Sequence, residues 1–190
     1  MEIISIDDKN AIQTASEIIK SGGLIVYPTD TLYGLGVDSR NKSAINRVNQ
    51  IKNRKTPISV IGWSIDIITN WVNISSHDLL MVNKILTESN TVILPVKDSI
   101  VHPLIMGDNQ TLGIRMPKYR FPIELCNNLG FPITTTSVNK SGDPPLNDPK
   151  LIIDQFGNEI DLIIDAGALP TSSGSTIYKF DNSKFEIIRS

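Results

Sequence analysis

Apolar positions along the chain switch repeatedly between helical and strand spacing. Ala11, Ile12, Ala15, Ile18 and Ile19 recur at three and four residues, the signature of one buried helix face. Asp7 or Asp8 is placed to cap that helix, and Gly22-Gly23 to stop it. Leu24 to Tyr27 is then uninterrupted and apolar, as a buried strand requires. A second helix carries Ile45, Val48 and Ile51 inward, with Ser43 as its expected cap. Ile58 to Ile61 reads as a short strand. Two helices follow, over about 64–72 and 76–88, the second capped by Ser75 or Ser76. Strands are expected at Thr91 to Val96 and Thr111 to Arg115, a helix at Pro122 to Leu129, and a strand at Ile133 to Thr136. Pro149 opens a further helix through Phe156, because proline is tolerated in a first helical turn. Strands at Leu162 to Ile164, Thr176 to Phe180 and Phe185 to Ile188 end the pattern.

This alternation predicts an α/β fold with an antiparallel end. No low-complexity tract or repeat divides it, so residues 1–190 are expected to form one domain. The loop from Asn139 to Asp148 is rich in Gly, Pro, Ser and Asn, but elements continue beyond it. It reads as a functional loop rather than a boundary.

Composition narrows the function classes. With 190 residues, 40% hydrophobic and 20% charged, the chain suits a packed globular core. A net charge of −2 leaves any anion or nucleic-acid site to a local basic cluster. One Cys (Cys126) forbids an internal disulfide, and with His77 and His102 it cannot complete a Cys/His zinc site. The acidic start MEIISIDDKN does not resemble a signal peptide, and no apolar run approaches a membrane span. A cytoplasmic protein without membrane contact is expected.

Five stretches carry candidate chemistry. In GGLIVYPTDTLYGLG, a strand runs into the polar knot Thr29-Asp30-Thr31, followed by Gly34 and Gly36, which permit positive φ or close backbone approach. Strand ends in α/β sheets are where ligands bind, although a capped turn would use the same residues. IKNRKTP places Lys52, Arg54 and Lys55 at a helix end. They form either an anion clamp or a solvated cationic terminus. In TLGIRMP, Arg115 ends a buried strand and needs an anionic partner, whether ligand or protein carboxylate. TTTSVNKSGDPP runs a second strand into Ser137, Asn139, Ser141 and Gly142. SGSTIYKF, with FEIIRS behind it, supplies Ser173, Ser175 and Arg189. The chain lacks GxxxxGK[ST], GxSxG and a dinucleotide fingerprint, and Cys126 reads as a core thiol.

In this order the five stretches resemble the YrdC/TsaC family of threonylcarbamoyl-AMP synthases, in its single-domain form, from Gly22 to Arg189. The resemblance implies a mixed, twisted open sheet with flanking helices and a large concave basic cavity. It implies synthesis of threonylcarbamoyl-AMP and pyrophosphate from L-threonine, bicarbonate and ATP, with Mg²⁺ arriving on the ATP. The product would serve t6A37 modification of tRNA through a downstream transferase complex, with tRNA itself a further contact. By matching position, Thr31, Arg115, Thr135 and Ser175 fall on the threonine side. Lys52, Arg54, Thr56, Thr111, Ser137 and Arg189 fall on the ATP side, with Asn139 and Ser141 shaping the same loop and Asn139 counted among the nucleotide contacts. Lys52 and Arg54 are the expected catalytic pair. The chain departs from the family pattern in a shortened segment after Arg54, in Ile61 where relatives often have His, and in Pro145 where they often have Ser. Two other functions remain open from sequence: a double-stranded RNA or tRNA-binding module, and a carbamoyltransferase working through a carbamoyl-adenylate.

Overall fold

The computed structural model describes residues 1–55 and 57–190; Thr56, one of the expected nucleotide-side residues, lies outside the described residues. In chain order the elements are β1 (Glu2–Ser5), α1 (Ala11–Lys20), β2 (Ile25–Pro28), β3 (Tyr33–Gly36), α2 (Lys42–Lys52), β4 (Ser59–Ile61), α3 (Ile65–Trp71), α4 (Ser76–Leu86), β5 (Thr91–Pro95), β6 (Thr111–Arg115), α5 (Arg120–Leu129), β7 (Thr134–Ser137), α6 (Pro149–Phe156), β8 (Leu162–Asp165), β9 (Ile177–Asp181) and β10 (Lys184–Arg189). The strands join in one ten-stranded sheet, ordered β1-β8-β2-β3-β7-β4-β6-β5-β9-β10. It is mixed, as expected. β1–β8, β2–β8, β4–β6 and β5–β9 are parallel, while β2–β3, β3–β7, β4–β7, β5–β6 and β9–β10 are antiparallel.

Two helix starts differ from expectation. Asn41, not Ser43, caps α2, its side chain accepting from the N–H groups of Ser43 and Ala44. Ser43 already lies inside the first turn, where its hydroxyl is past the capping position. Asn10 occupies the cap position of α1 without a side-chain cap bond, and Asp8 instead accepts from the Asn10 N–H at 2.7 Å. Ser75 caps α4 as expected, and Asp148 caps α6 just before Pro149.

The opening glycine-rich stretch is a hairpin. β2 and β3 pair antiparallel, with Tyr27 opposite Gly34. Thr29 closes the turn: its N–H and hydroxyl both reach the Leu32 carbonyl, at 3.1 and 2.7 Å. Gly34 and Gly36 are absent from the positive-φ glycines. Their need for glycine is steric and comes from within the protein. A Cβ on Gly36 would sit 2.7 Å from Cε1 of Tyr27, and one on Gly34 would sit 3.2 Å from its Cζ. The Tyr27 ring lies across both glycines and donates from its hydroxyl to the Thr134 carbonyl at 3.0 Å.

Strand alternation divides the sheet into two unlike faces. On one face Val26, Leu35, Val60, Val92, Leu94, Leu112, Ile114 and Ile163 form a continuous core with residues from α2, α3, α4 and α6. On the other, Ile25, Tyr27, Ile61, Leu162 and Ile164 pack with α1 and α5. That second apolar patch covers the β8-β2 end and reaches Ile61 on β4. Beyond it the same face turns polar.

Candidate active site

Register determines which side chains share that polar face, because residues paired across a ladder point the same way. Gly34 pairs with Ser137, and Thr135, two residues back on β7, pairs with Ser59. Ile61, two residues on from Ser59, pairs with Arg115. Arg115 pairs with Thr91, Thr91 with Ile177, and Ile177 with Arg189. One row thus runs from β3 to β10 and places Arg115 and Arg189 on the same face. Gly113, two residues before Arg115, leaves room for Ser59: a Cβ there would lie 2.3 Å from the Ser59 hydroxyl oxygen. The row floors a cavity of about 340 Å³. Its walls are the Thr29–Leu32 turn, the end of α2, the 139–145 loop and Ser173–Ser175.

The cavity brings together Thr31, Thr135, Arg115, Ser175, Lys52, Arg54, Ser137, Asn139, Ser141 and Arg189, all expected site residues from separate parts of the chain. Pro145 also lines it, at the position noted as a departure. Thr111 does not. Its hydroxyl donates to the Asp108 carbonyl at 2.8 Å, and it borders an adjoining depression formed with α4 and the β9–β10 turn.

Lys52, the last residue of α2, is 3% exposed. Its ammonium donates to the Ser137 carbonyl at 2.8 Å and to Asn139 Oδ1 at 2.5 Å. Asn139 Oδ1 also accepts from the Ser137 hydroxyl at 2.7 Å, while its Nδ2 donates to the Asp143 carbonyl at 2.6 Å. The Ser141 N–H returns to the Lys52 carbonyl at 3.0 Å. Asn139 is therefore oriented toward Lys52 and its own loop, so it fixes the lysine rather than presenting a free amide to the cavity. Burial, and then the positive charge of Arg54, push the Lys52 ammonium down to about 8.

Arg115 is 6% exposed, and its Nη2 donates to Asp30 Oδ1 at 2.5 Å. The other oxygen of Asp30 accepts from the Lys118 N–H at 3.0 Å. Burial alone would raise the Asp30 carboxyl. The Arg115 charge and the accepted hydrogen bonds outweigh it and hold the group below its ordinary value. Arg115 therefore has a protein carboxylate as partner. Asp30 reaches it from behind the cavity wall, leaving Arg115 as the residue that lines the space. Ser175 and Thr91 share a hydroxyl–hydroxyl bond of 2.7 Å, and Arg189 Nη2 donates to the Ser175 carbonyl at 2.9 Å. Arg189 is shifted down by burial and then by the charges of Arg115 and Arg54. Lys52 and Arg189 are thus each lowered by burial first and by neighbouring cations second, a repulsion that an anion in the cavity would relieve.

Sequence inspection missed Ser59 and Thr91 as floor residues. No local motif singles them out; only strand register places them beside Thr135 and Arg115.

A family model named Sua5/YciO/YrdC, described as telomere recombination, matches residues 17–190. The chain belongs to this family. A threonylcarbamoyl-AMP synthase of Xanthomonas axonopodis pv. citri is 30% identical over 165 residues, 83% of this chain and 88% of that one. A second threonylcarbamoyl-AMP synthase, from Hydrogenovibrio crunogenus, is 33% identical over 71% of this chain and 75% of that one. Among solved structures, P. abyssi Sua5 complexed with L-threonine superposes over 100% of this chain with a TM-score of 0.89 at 25% identity. This chain spans 57% of that longer protein. E. coli YciO matches with a TM-score of 0.86 at 25% identity, covering 93% of its own length. The mixed twisted sheet with flanking helices is thus the family fold.

Proposed function

We propose that this chain is an L-threonylcarbamoyladenylate synthase, a nucleotidyltransferase that makes threonylcarbamoyl-AMP and pyrophosphate from L-threonine, bicarbonate and ATP. The observation that carries this is the convergence of Lys52, Arg54, Arg115 and Arg189 with the hydroxyls of Thr31, Thr135, Ser137 and Ser175 on one cavity. The relatives' names and the threonine complex of Sua5 support the same assignment.

The chemistry suits a site of cations and hydroxyls. Bicarbonate takes up a proton and loses water to give carbon dioxide. The neutral amine of threonine adds to that carbon and releases a proton, giving a carbamate. A carbamate oxygen attacks the α-phosphorus of ATP, the bond to the bridging oxygen breaks, and pyrophosphate leaves. The nucleophile is thus part of the substrate. Cys126 lies on the buried face of α5, its thiol pushed up to about 12 by burial, and it does not line the cavity. The protein's task is to hold two anionic reactants together and to stabilise developing charge.

Thr31, Arg115, Thr135 and Ser175 take the threonine, with Arg115 on its carboxylate. Lys52, Arg54, Ser137 and Arg189 face the triphosphate, and Asn139 holds Lys52. Among the described residues no group of three or more His, Cys, Asp or Glu gathers as a metal site. On this reading Mg²⁺ enters as part of the ATP substrate. Residues 1–190 act as one domain in the cytoplasm, and the product passes to a transferase that modifies A37 of tRNA. Among the described residues no helix is long and apolar enough to cross a membrane.

The test is pyrophosphate release by the purified protein with each substrate omitted in turn, and mass spectrometry of the nucleotide product. Release should require threonine and bicarbonate together, since threonine alone offers only an amine and bicarbonate alone leaves the amino-acid pocket empty. Release that ignores threonine, or a product lacking the threonylcarbamoyl group, would refute the assignment.

A further inference from the structure

We infer that Asp30, a residue outside the cavity lining, is a positioning residue that sets Arg115 and Thr31 in register with one another and thereby governs amino-acid affinity; this rests on the synthase assignment above. The two residues come from unrelated parts of the chain. Thr31 stands on the β2–β3 turn, and Arg115 ends β6. Asp30 is the neighbour of Thr31 in sequence and touches the β6 end twice. Oδ1 accepts from Arg115 Nη2 at 2.5 Å, and Oδ2 accepts from the Lys118 N–H at 3.0 Å. One carboxylate therefore ties the turn to both the side chain and the backbone that follow β6.

The tie matters because little else holds the guanidinium. Arg115 Nε is buried and makes no hydrogen bond, so Asp30 is the only carboxylate among the described residues that anchors the Arg115 head. A guanidinium held at one nitrogen by a fixed carboxylate presents its remaining N–H groups in one orientation. Without that anchor it would turn in the cavity, toward Ser175 or the nucleotide side, and a substrate carboxylate would have to reorder it on binding. Asp30 also offsets the Arg115 charge, and so reduces competition by phosphate oxygens for this one cation of the cluster. It does not line the cavity. Its effect on substrate therefore travels through Arg115 and the turn.

The test is steady-state kinetics of Asp30→Asn with threonine and ATP varied separately, beside calorimetric binding of L-threonine alone. The expected result is a threonine KM raised roughly tenfold or more, the scale of a charge-assisted contact. The ATP KM should stay within about twofold, and kcat at saturating threonine should be largely kept. Threonine binding should weaken in parallel. Asp30→Glu, which keeps the charge, should recover part of the loss, and it serves where the neutral variant fails to fold. In a cycle with Arg115→Lys, the double variant should be no worse than Arg115→Lys alone, because Asp30 acts through the guanidinium. Wild-type kinetics in Asp30→Asn, equal rises in both KM values, or strictly additive losses in the cycle would overturn the inference while leaving the synthase assignment intact. A wild-type protein that neither binds threonine nor depends on it would overturn both.

Discussion

Lys52 shows how one side chain links packing to reaction conditions. Its ammonium is almost wholly withdrawn from solvent, close to the Arg54 charge, and it is compensated by a carbonyl and an amide oxygen rather than by a carboxylate. Both burial and the neighbouring cation favour the neutral amine, which is why its value falls to about 8 from 10.5. The sign follows directly. Below pH 8 the group is charged and, in the proposed reaction, would help hold the triphosphate. Above it the charge is lost, and with it part of the anion affinity. We therefore expect kcat/KM for ATP, which reports the free enzyme, to fall as pH rises through about 8. Saturating ATP should move that limb upward, since bound anion favours the charged amine. Lys52→Met should be slow and should lack the limb altogether. A profile for the wild type that stays flat to pH 10 would show that the Lys52 charge takes no part. The sequence marked Lys52 as important but could not show its burial, because that depends on Ser137 and Asn139 arriving from far along the chain. It likewise named Arg115 and its need for an anion, while the choice between a ligand and Asp30 was settled only by the turn docking against β6.

At the scale of elements, strongly periodic segments were legible and glycine-rich or very short ones were not. α2, α4, α6, β5 and β6 appear within a residue or two of where apolar spacing puts them. β1 and β3 were not anticipated. β1 is a four-residue edge strand whose alternation is too brief to register. β3 contains Gly34 and Gly36, and glycine weakens a strand by its own propensity. What makes β3 a strand is tertiary: the Tyr27 ring occupies the space that side chains on Gly34 and Gly36 would fill. Gly36→Ala should therefore destabilise the protein by about 1–3 kcal/mol, the usual cost of overpacking a well-filled core. At Gly142, where φ is +97° and nothing lies near, Ala meets backbone strain of about 1–2 kcal/mol and no clash. Urea unfolding of the two variants separates the mechanisms. Replacing Tyr27 by Leu in the Gly36→Ala background should recover part of that loss and should do nothing for Gly142→Ala. Equal response of both to the Tyr27 change would refute the steric account of β3.

The whole molecule has a net charge of −2, yet it concentrates Lys52, Arg54, Arg115 and Arg189 around one cavity in which only Arg115 has a carboxylate partner among the described residues. Bulk charge hid this cluster, because strand register and the end of α2, not local composition, assemble it. Arg54 lowers both Lys52 and Arg189, so without an anion the folded state carries repulsion that an extended chain would not. Removing Arg54 should therefore relieve the empty protein and impair the loaded one. We expect Arg54→Gln to raise the Tm of the ligand-free protein by about 1–2 °C. Solvent-exposed charge terms are worth less than about 1 kcal/mol, and at this chain length 1 kcal/mol corresponds to about 2–4 °C. Pyrophosphate at a hundred times its Kd stabilises a binding protein by about 2.7 kcal/mol. At a fixed concentration of that order, the wild type should gain several degrees and Arg54→Gln clearly less. The alkaline fall in kcat/KM should also move to higher pH in Arg54→Gln, because Lys52 loses the charge that depresses it. Arg54→Lys should keep the wild-type Tm without restoring full activity, since an ammonium reproduces the charge and not the two-pronged grip on phosphate. Thermal unfolding with and without pyrophosphate is the measurement. An Arg54→Gln protein that melts below the wild type when empty, yet gains as much from pyrophosphate, would mean that Arg54 serves the fold and not the anion.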